Sequence, residues 1–177
     1  MAAQPSQAFR NPDTFSAITE ATTMAAETFV NEFYTMLDSD RISFTNVFRA
    51  DSKFIWDGYS CPMSDLQKFL AATPLTNHTK LSFDAQPVLL GHEDNDQSSL
   101  YPTPTIIVTA QGDLKYGLAE FKQGFQHTFI LKRDPTHPAE SQLFYCYAFN
   151  ARSHKEVLSM ERPRHNQNQN QRGGGGR

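Results

Sequence analysis

Helices first and strands after predict an α+β domain, a curved antiparallel sheet wrapped around one long helix and two shorter ones. Two observations carry this. Helical periodicity is confined to the first 73 residues or so, while residues 79–151 read as strands parted by turn residues. The chain of 177 residues also holds 14 Phe, enough apolar bulk for one domain with a real core.

The elements follow in order. Phe15, Ile18, Ala25, Phe29, Phe33 and Leu37 recur at three- and four-residue steps and line one face of a helix over about 14–38. Asp38, Ser39 and Asp40 supply turn and N-cap chemistry for a second helix over about 41–49, with Phe44, Val47 and Phe48 on its apolar side. Lys53 to Asp57 alternates as a strand, paired with the residues after Gly58. Ser64 and Gln67 have capping-box spacing and open a third helix that stops before Pro74. Thr79–Leu90 is a long strand with Leu81, Phe83 and Ala85 on one face. Residues 91–104 are a loop. Pro104–Gln111 continues past a Gly112-Asp113 kink to Lys115–Tyr116, and Phe125–Arg133 and Leu143–Ala151 close the sheet.

The last strand reads as apolar on both faces: Leu143, Tyr145, Tyr147 and Phe149 on one, Phe144, Cys146 and Ala148 on the other. Helices can cover only one face of the sheet, so the second points to another protein subunit, the alternative being a strand enclosed by the chain's own loops. Domain boundaries are expected at 1–13 for a loose arm, 14–154 for the domain and 155–177 for a basic tail.

Charge is uneven. Residues 162–177 carry Arg162, Arg164, Arg172 and Arg177 and no acid; the rest holds 12 basic against 19 acidic residues, a balance of −7. Such a body does not bind a phosphate backbone over its whole surface. The tail alternates Asn and Gln and then runs into Gly, a composition that cannot bury a core; RNA contact and a solubilising role are both open for it. No apolar run nears the ~20 residues of a membrane span, and the N-terminus lacks a secretory signal pattern. Cys61 and Cys146 read as reduced thiols.

Phe33-Tyr34, Asp38-Ser39-Asp40-Arg41 and Trp56-Asp57-Gly58 resemble the opening of the nuclear transport factor 2-like family, in which a long helix ends in an aromatic pair before Asp-x-Asp-Arg, a short helix and a strand closing on Trp-x-Gly. Within the family, Ala85-Gln-Pro-Val88, Gly112-Asp-Leu-Lys-Tyr116, Phe125 and Phe129-Ile-Leu131 are similar to the small subunits of heterodimeric mRNA export receptors, of a fungal type. The resemblance covers residues 15–153. It departs at Gln126–His127, where the family has Gln; at Ala151-Arg152-Ser153, where it closes on Phe-Arg-Phe; and at the longer 91–104 loop.

The resemblance implies a non-catalytic adaptor of the nucleus and nuclear pore, shuttling to the cytoplasm, with no cofactor, no metal and no membrane association. Its implied partners are the nuclear transport factor 2-like domain of a large export subunit, nuclear pore proteins and, weakly, RNA. The outward residues of the last two strands, Gln126, Thr128, Ile130, Tyr145, Tyr147 and Phe149, are the expected interface, with Arg152 as an ionic anchor. A one-residue bulge would swap those faces. Lys115, Lys122 and Lys132 join the tail arginines as candidate RNA contacts.

Two alternatives stay open. The family's founding carrier is a homodimer that imports a small GTPase and needs an acid after Trp, which Asp57 supplies. Relatives with dehydratase or isomerase activity use an Asp with His or Tyr inside the cone, for which Asp57, Tyr34, His127, His78 and Tyr116 are the candidates. His127 shares a face with Phe125 and Phe129, which favours a hydrogen-bonded core or interface histidine over a general base. The six histidines have no ligand spacing, and nucleotide loops and a Gly-x-Ser-x-Gly elbow are absent. If RNA affinity resides in the tail, deleting residues 162–177 should abolish the weak binding of the chain at low salt; tight binding by the truncated chain in a titration would place a site in the body.

Overall fold

The computed structural model describes residues 12–88, 104–137 and 143–154. Helix α1 spans Pro12–Ser39, α2 Arg41–Phe44 with a 3₁₀ turn at Thr45–Val47, and α3 Leu66–Ala72. Strands β1 (Lys53–Trp56), β2 (Tyr59–Cys61), β3 (Thr76–Val88), β4 (Thr105–Tyr116), β5 (Gln123–Arg133) and β6 (Phe144–His154) form one sheet in the order β2-β1-β6-β5-β4-β3. All neighbours are antiparallel except β1 and β6, which pair in parallel over four residues. The expected purely antiparallel sheet therefore carries one parallel joint. The connection between those two strands, residues 57–143, is about half of the chain, long enough for the crossover that parallel pairing needs.

The buried stripe of α1 is Ile18, Thr22, Ala26, Phe29, Val30, Phe33, Tyr34 and Leu37. Phe15, one turn earlier on the same stripe, is 42% exposed, so core contact begins at Ile18. Phe33 is the hub of the inner layer. Its ring lies 4.8 Å from Phe129, 4.9 Å from Phe149 and 4.9 Å from Phe44, mostly edge-on or tilted as ring quadrupoles prefer. Phe48, Phe54 and Trp56 extend the cluster toward β1.

Asp40 caps α2 as its position suggested, accepting from the Ser43 N–H at 3.1 Å. Arg41 then explains the motif it closes. Its guanidinium donates to the carbonyls of Leu70 and Thr73 at 2.6 Å each and of Pro74 at 2.7 Å, satisfying the end of α3. The capping box at Ser64 does not form. A 3₁₀ turn over Met63–Asp65 takes up the chain after Pro62, and α3 starts at Leu66 with no side-chain cap. At the β1–β2 turn, Asp57 and Gly58 both have positive φ, 46° and 86°, as a two-residue I′ hairpin turn requires.

The long strands differ from expectation in three places. β3 begins at Thr76, and its irregularity falls between Lys80 and Ser82, opposite Gly112. β4 runs through Gly112-Asp113 without interruption, so the anomaly sits on the neighbouring strand. In β6 the register slips: Ile130 faces Ala148 but Leu131 faces Cys146, leaving Tyr147 as an extra residue. Helix α1 takes in Pro12 and Asp13, the last two residues of the expected arm; residues 1–11, residues 89–103 and the tail lie outside the described residues. Phe33→Ala should cost about 3–5 kcal/mol, because six neighbouring rings would border the cavity; urea unfolding monitored by circular dichroism measures it.

Candidate partner interface

The helices and short turns cover one face of the sheet. Register assigns the side chains of the other. One row across it is Lys53, Ala148, Ile130, Ile107 and Gln86; the next is Ile55, Asn150, Thr128, Thr109 and Asp84; a third is Arg152, Gln126, Gln111 and Ser82. The first two rows join an apolar centre to neutral hydrogen-bonding groups, and polar residues lie at the rim, the composition of a docking face. Over β1, β6 and β5 the charged members are Lys53, Lys132 and Arg152, with no carboxylate among the described side chains of that part of the face.

The expected residues distribute as follows. Gln126, Thr128, Ile130 and Arg152 lie on this outer face. Tyr147 lies there too, under the Lys132 ammonium, whose nitrogen is 3.9 Å from the ring centre. Tyr145 pairs across from Lys132 but is only 6% exposed, with the Arg49 guanidinium 5.6 Å from its ring centre. Phe149 does not belong to the interface: it is 1% exposed and packs on Phe33, Phe54 and Phe129 in the core. The extra residue at Tyr147 causes this. It puts Cys146 and Phe149 both inside, although they are three residues apart. The strand that read as apolar on both faces is two half-strands of opposite parity. Residues missed by looking only at the last two strands are Ile55, Ile107, Thr109 and Gln111; simple alternation along β4 would have given the last three.

Arg49 fixes the outer end of β6. It pairs with Asp134, while Ser52 donates to the Cys146 carbonyl at 2.7 Å. Burial would raise the Asp134 carboxyl, but hydrogen bonds from Arg49 and Thr136 hold it well below the usual carboxylate range.

The candidate pocket residues fall into two separate groups, Tyr34, His78 and His127 in the core and Asp57 with Tyr116 at the sheet end. The Asp57 carboxylate sits at the sheet end, accepting from the Ser153 N–H and hydroxyl at 2.6 Å each. Tyr34 and His127 meet in the core instead, hydroxyl to Nδ1 at 3.0 Å. Around His127 stand Phe125, His78, Phe149 and Trp56, with ring centres 4.5 to 6.0 Å away. The imidazole is fully buried, and its Nε2 has no partner. Burial first, then the neighbouring His78, pushes its pKa well below the ordinary value, and burial pushes the Tyr34 hydroxyl far up. His78 donates from its backbone N–H and Nδ1 to Asp38 at 2.8 and 2.7 Å. Burial alone would raise the Asp38 carboxyl, yet those hydrogen bonds keep it lowered.

A recess of about 380 Å³ is lined by Asn31, Tyr34, Thr35, Asp38, Ser39, Asn77 and His78, and contains neither His127 nor Asp57. Tyr116 lies near Asp57 and Ser153 at the sheet end. Among the described residues, no group of three His, Cys, Asp or Glu could hold a metal, and no helix is long and apolar enough to cross a membrane. The lysines form no continuous basic patch. Lys122 is engaged by Asp113 at 3.3 Å, and Lys132 lies at the other end of β5, about 30 Å away at ~3.3 Å per residue. Lys115 is half-buried on β4, and Arg162, Arg164, Arg172 and Arg177 lie outside the described residues.

The architecture and sequence motifs now find relatives. Mtr2 superposes with a TM-score of 0.57 at 13% identity, over 76% of this chain and 99% of Mtr2. A chain of the Candida albicans complex of Mtr2 with the Mex67 M domain gives 0.55 at 14%, over 75% and 96%. Human NTF2-related export protein 2 is 28% identical over 123 residues, 69% of this chain and 81% of the human protein. The chain has the nuclear transport factor 2-like fold. A scytalone dehydratase-type protein from Novosphingobium aromaticivorans shares the fold, with a TM-score of 0.53 at 9% identity over 78% of this chain and 87% of its own. No family model matches the chain. The fold thus serves adaptors and enzymes alike, whereas the relative found by sequence is an export factor.

The buried imidazole gives a pH test. A histidine held neutral in the fold takes up a proton on unfolding, so stability falls as pH drops below the unfolded pKa of about 6.5. The expected slope reaches roughly 1.4 kcal/mol per pH unit between pH 6.5 and 5, above the range where Asp38 and Asp134 titrate. Tyr34→Phe/His127→Phe, which removes both hydrogen-bonding partners, should flatten that slope in urea unfolding at several pH values.

Proposed function

We propose that this chain is the non-catalytic small subunit of a heterodimeric mRNA export receptor, pairing through the outer face of its sheet with the nuclear transport factor 2-like domain of a Mex67-type large subunit. The observation that carries the reading is the similarity to a human export protein across four-fifths of that protein. The uncovered outer face, apolar at Ile130, Ile107 and Ala148, supports it. So does the interior, where aromatic rings pack around Phe33 and His127 and the recess beside Tyr34 includes neither His127 nor Asp57. Solved relatives include complexes of Mtr2 with Mex67 and one with a Sac3 peptide.

In this role the protein works in the nucleus and at the pore, where pore proteins are further partners. With Lys122 paired to Asp113 and Lys132 over Tyr147, its body offers RNA little; RNA affinity belongs to the heterodimer and the tail. The carrier reading is weaker, because Asp57 already accepts two hydrogen bonds from Ser153.

Co-expression with the large subunit's nuclear transport factor 2-like domain should yield a one-to-one complex by light scattering after gel filtration. Ile130→Asp should weaken it at least 100-fold by burying an unpaired carboxylate in the centre of the face. A wild-type chain that stays a stable monomer beside that domain would sink the proposal.

A further inference from the structure

The β4–β5 hairpin ends in an apolar tip. Between Tyr116 and Gln123 the chain reads Gly-Leu-Ala-Glu-Phe-Lys, and Leu118 is 100% and Phe121 76% exposed. Leu75, 63% exposed, adjoins them, since its carbonyl accepts from the Gly117 N–H at 2.6 Å. A lone apolar residue on a surface is ordinary. Three large ones at a hairpin tip, where polar turn residues normally stand, mark a place that something covers. The tip lies beyond the polar row of Arg152, Gln126 and Gln111, outside the apolar centre of the docking face.

Strand β6 ends beside this tip. Arg152 pairs with Gln126, Ser153 with Phe125 and His154 with Gly124, an unbroken antiparallel register. Carried three residues further, the same register sets Lys155 against Gln123, Glu156 against Lys122 and Val157 against Phe121. Facing residues in such a ladder have Cβ atoms about 4.5–5.5 Å apart, close enough for side-chain contact. The faces agree. Lys122 lies on the side of Asp113, whose carboxylate it meets at 3.3 Å, so Glu156 would bring a second carboxylate to the same ammonium. By alternation Val157 and Phe121 share the opposite side. Composition points the same way. After His154 the chain has three apolar residues, Val157, Leu158 and Met160, all within six positions of the strand end; from Arg162 on it is Arg, Pro, His, Asn, Gln and Gly.

We propose that residues 155–160 form a strap that prolongs β6 along the start of β5 and closes over the hairpin tip, with Val157 on Phe121 and with Leu158 and Met160 against Leu118. The tip is covered by the chain's own segment, not by a second copy or another protein. Six residues of extended chain span about 20 Å, ample for a tip that begins three residues from Gly124. The folded unit then ends at Met160 instead of at 154, and the arginine-bearing run starts from a fixed point at the hairpin. The inference does not depend on the pairing reading.

The test uses the full chain in four forms: wild type, Leu118→Ser/Phe121→Ser, Val157→Ser/Leu158→Ser/Met160→Ser, and all five changes together. Thermal midpoints are read by circular dichroism, exchange of the 155–160 amides by hydrogen–deuterium mass spectrometry, and mass by light scattering. Either set of changes should lower the midpoint by roughly 2–6 °C, and the combination should lower it no further than the larger of the two, as partners in one contact do. The 155–160 amides should exchange slowly in wild type and at an open-chain rate in the hairpin variant, whose strap sequence is intact. A bare tip would leave the midpoint of the hairpin variant unchanged, because side chains in water support nothing, and that result overturns the proposal. Open-chain exchange of 155–160 in wild type overturns it as well, and so do additive losses, which would put the segment elsewhere on the fold. A wild-type dimer that becomes a monomer in the hairpin variant assigns the tip to a second copy and overturns the strap.

Discussion

The packing of Phe33 against rings from α2, β5 and β6 is the contact on which the rest of the molecule depends. It joins the long helix to the strands in the middle of the core. The polar groups that remain inside are committed to one another: Tyr34 to His127, Asp38 to His78. Neither pair includes Asp57, whose carboxylate is taken by Ser153 at the sheet end. A buried, neutral imidazole with an unpartnered Nε2 is a costly way to fill a core. Its surroundings explain why it is tolerated: aromatic rings on several sides give up little when they face another planar ring.

One layer of helices covers one face of a six-stranded sheet, and the other face carries isoleucines, threonines and an asparagine between rims of lysine, arginine and glutamine. The bulge at Tyr147 decides what β6 contributes. It sends Phe149 inward to complete the Phe33 cluster and leaves Tyr147 and Ala148 outside. Core and outer face are therefore coupled through one inserted residue.

Much of this was legible in the sequence because it rests on local chemistry. The period of α1, the Asp40 cap, the Asp57-Gly58 turn and the succession of helices and strands along the chain all follow from residue spacing, and the outward positions of β5 follow from strict alternation. What was not legible depends on contacts distant in sequence. Ser64 has good cap chemistry, but the turn imposed after Pro62 draws it inside a 3₁₀ segment. No local signal marks the bulge, because Tyr145, Tyr147 and Phe149 look alike to a two-residue period. The parallel pairing of β1 and β6, and the capture of Asp57 by Ser153, join residues about a hundred positions apart.

That parallel joint has a mechanical meaning. The β1–β2 hairpin is attached to the remaining four strands through a seam of four residue pairs, much shorter than the ladders among those four strands. The seam is pinned at both ends, by Ser52 on the Cys146 carbonyl and by Asp57 on Ser153. It behaves as a flap hinged along one edge and latched at its corners, and sub-global opening of the sheet would begin by releasing a latch. Because Phe54 and Trp56 ride on the flap into the aromatic core, lifting it would bring water to the rings of Phe149 and His127 before any other strand had moved.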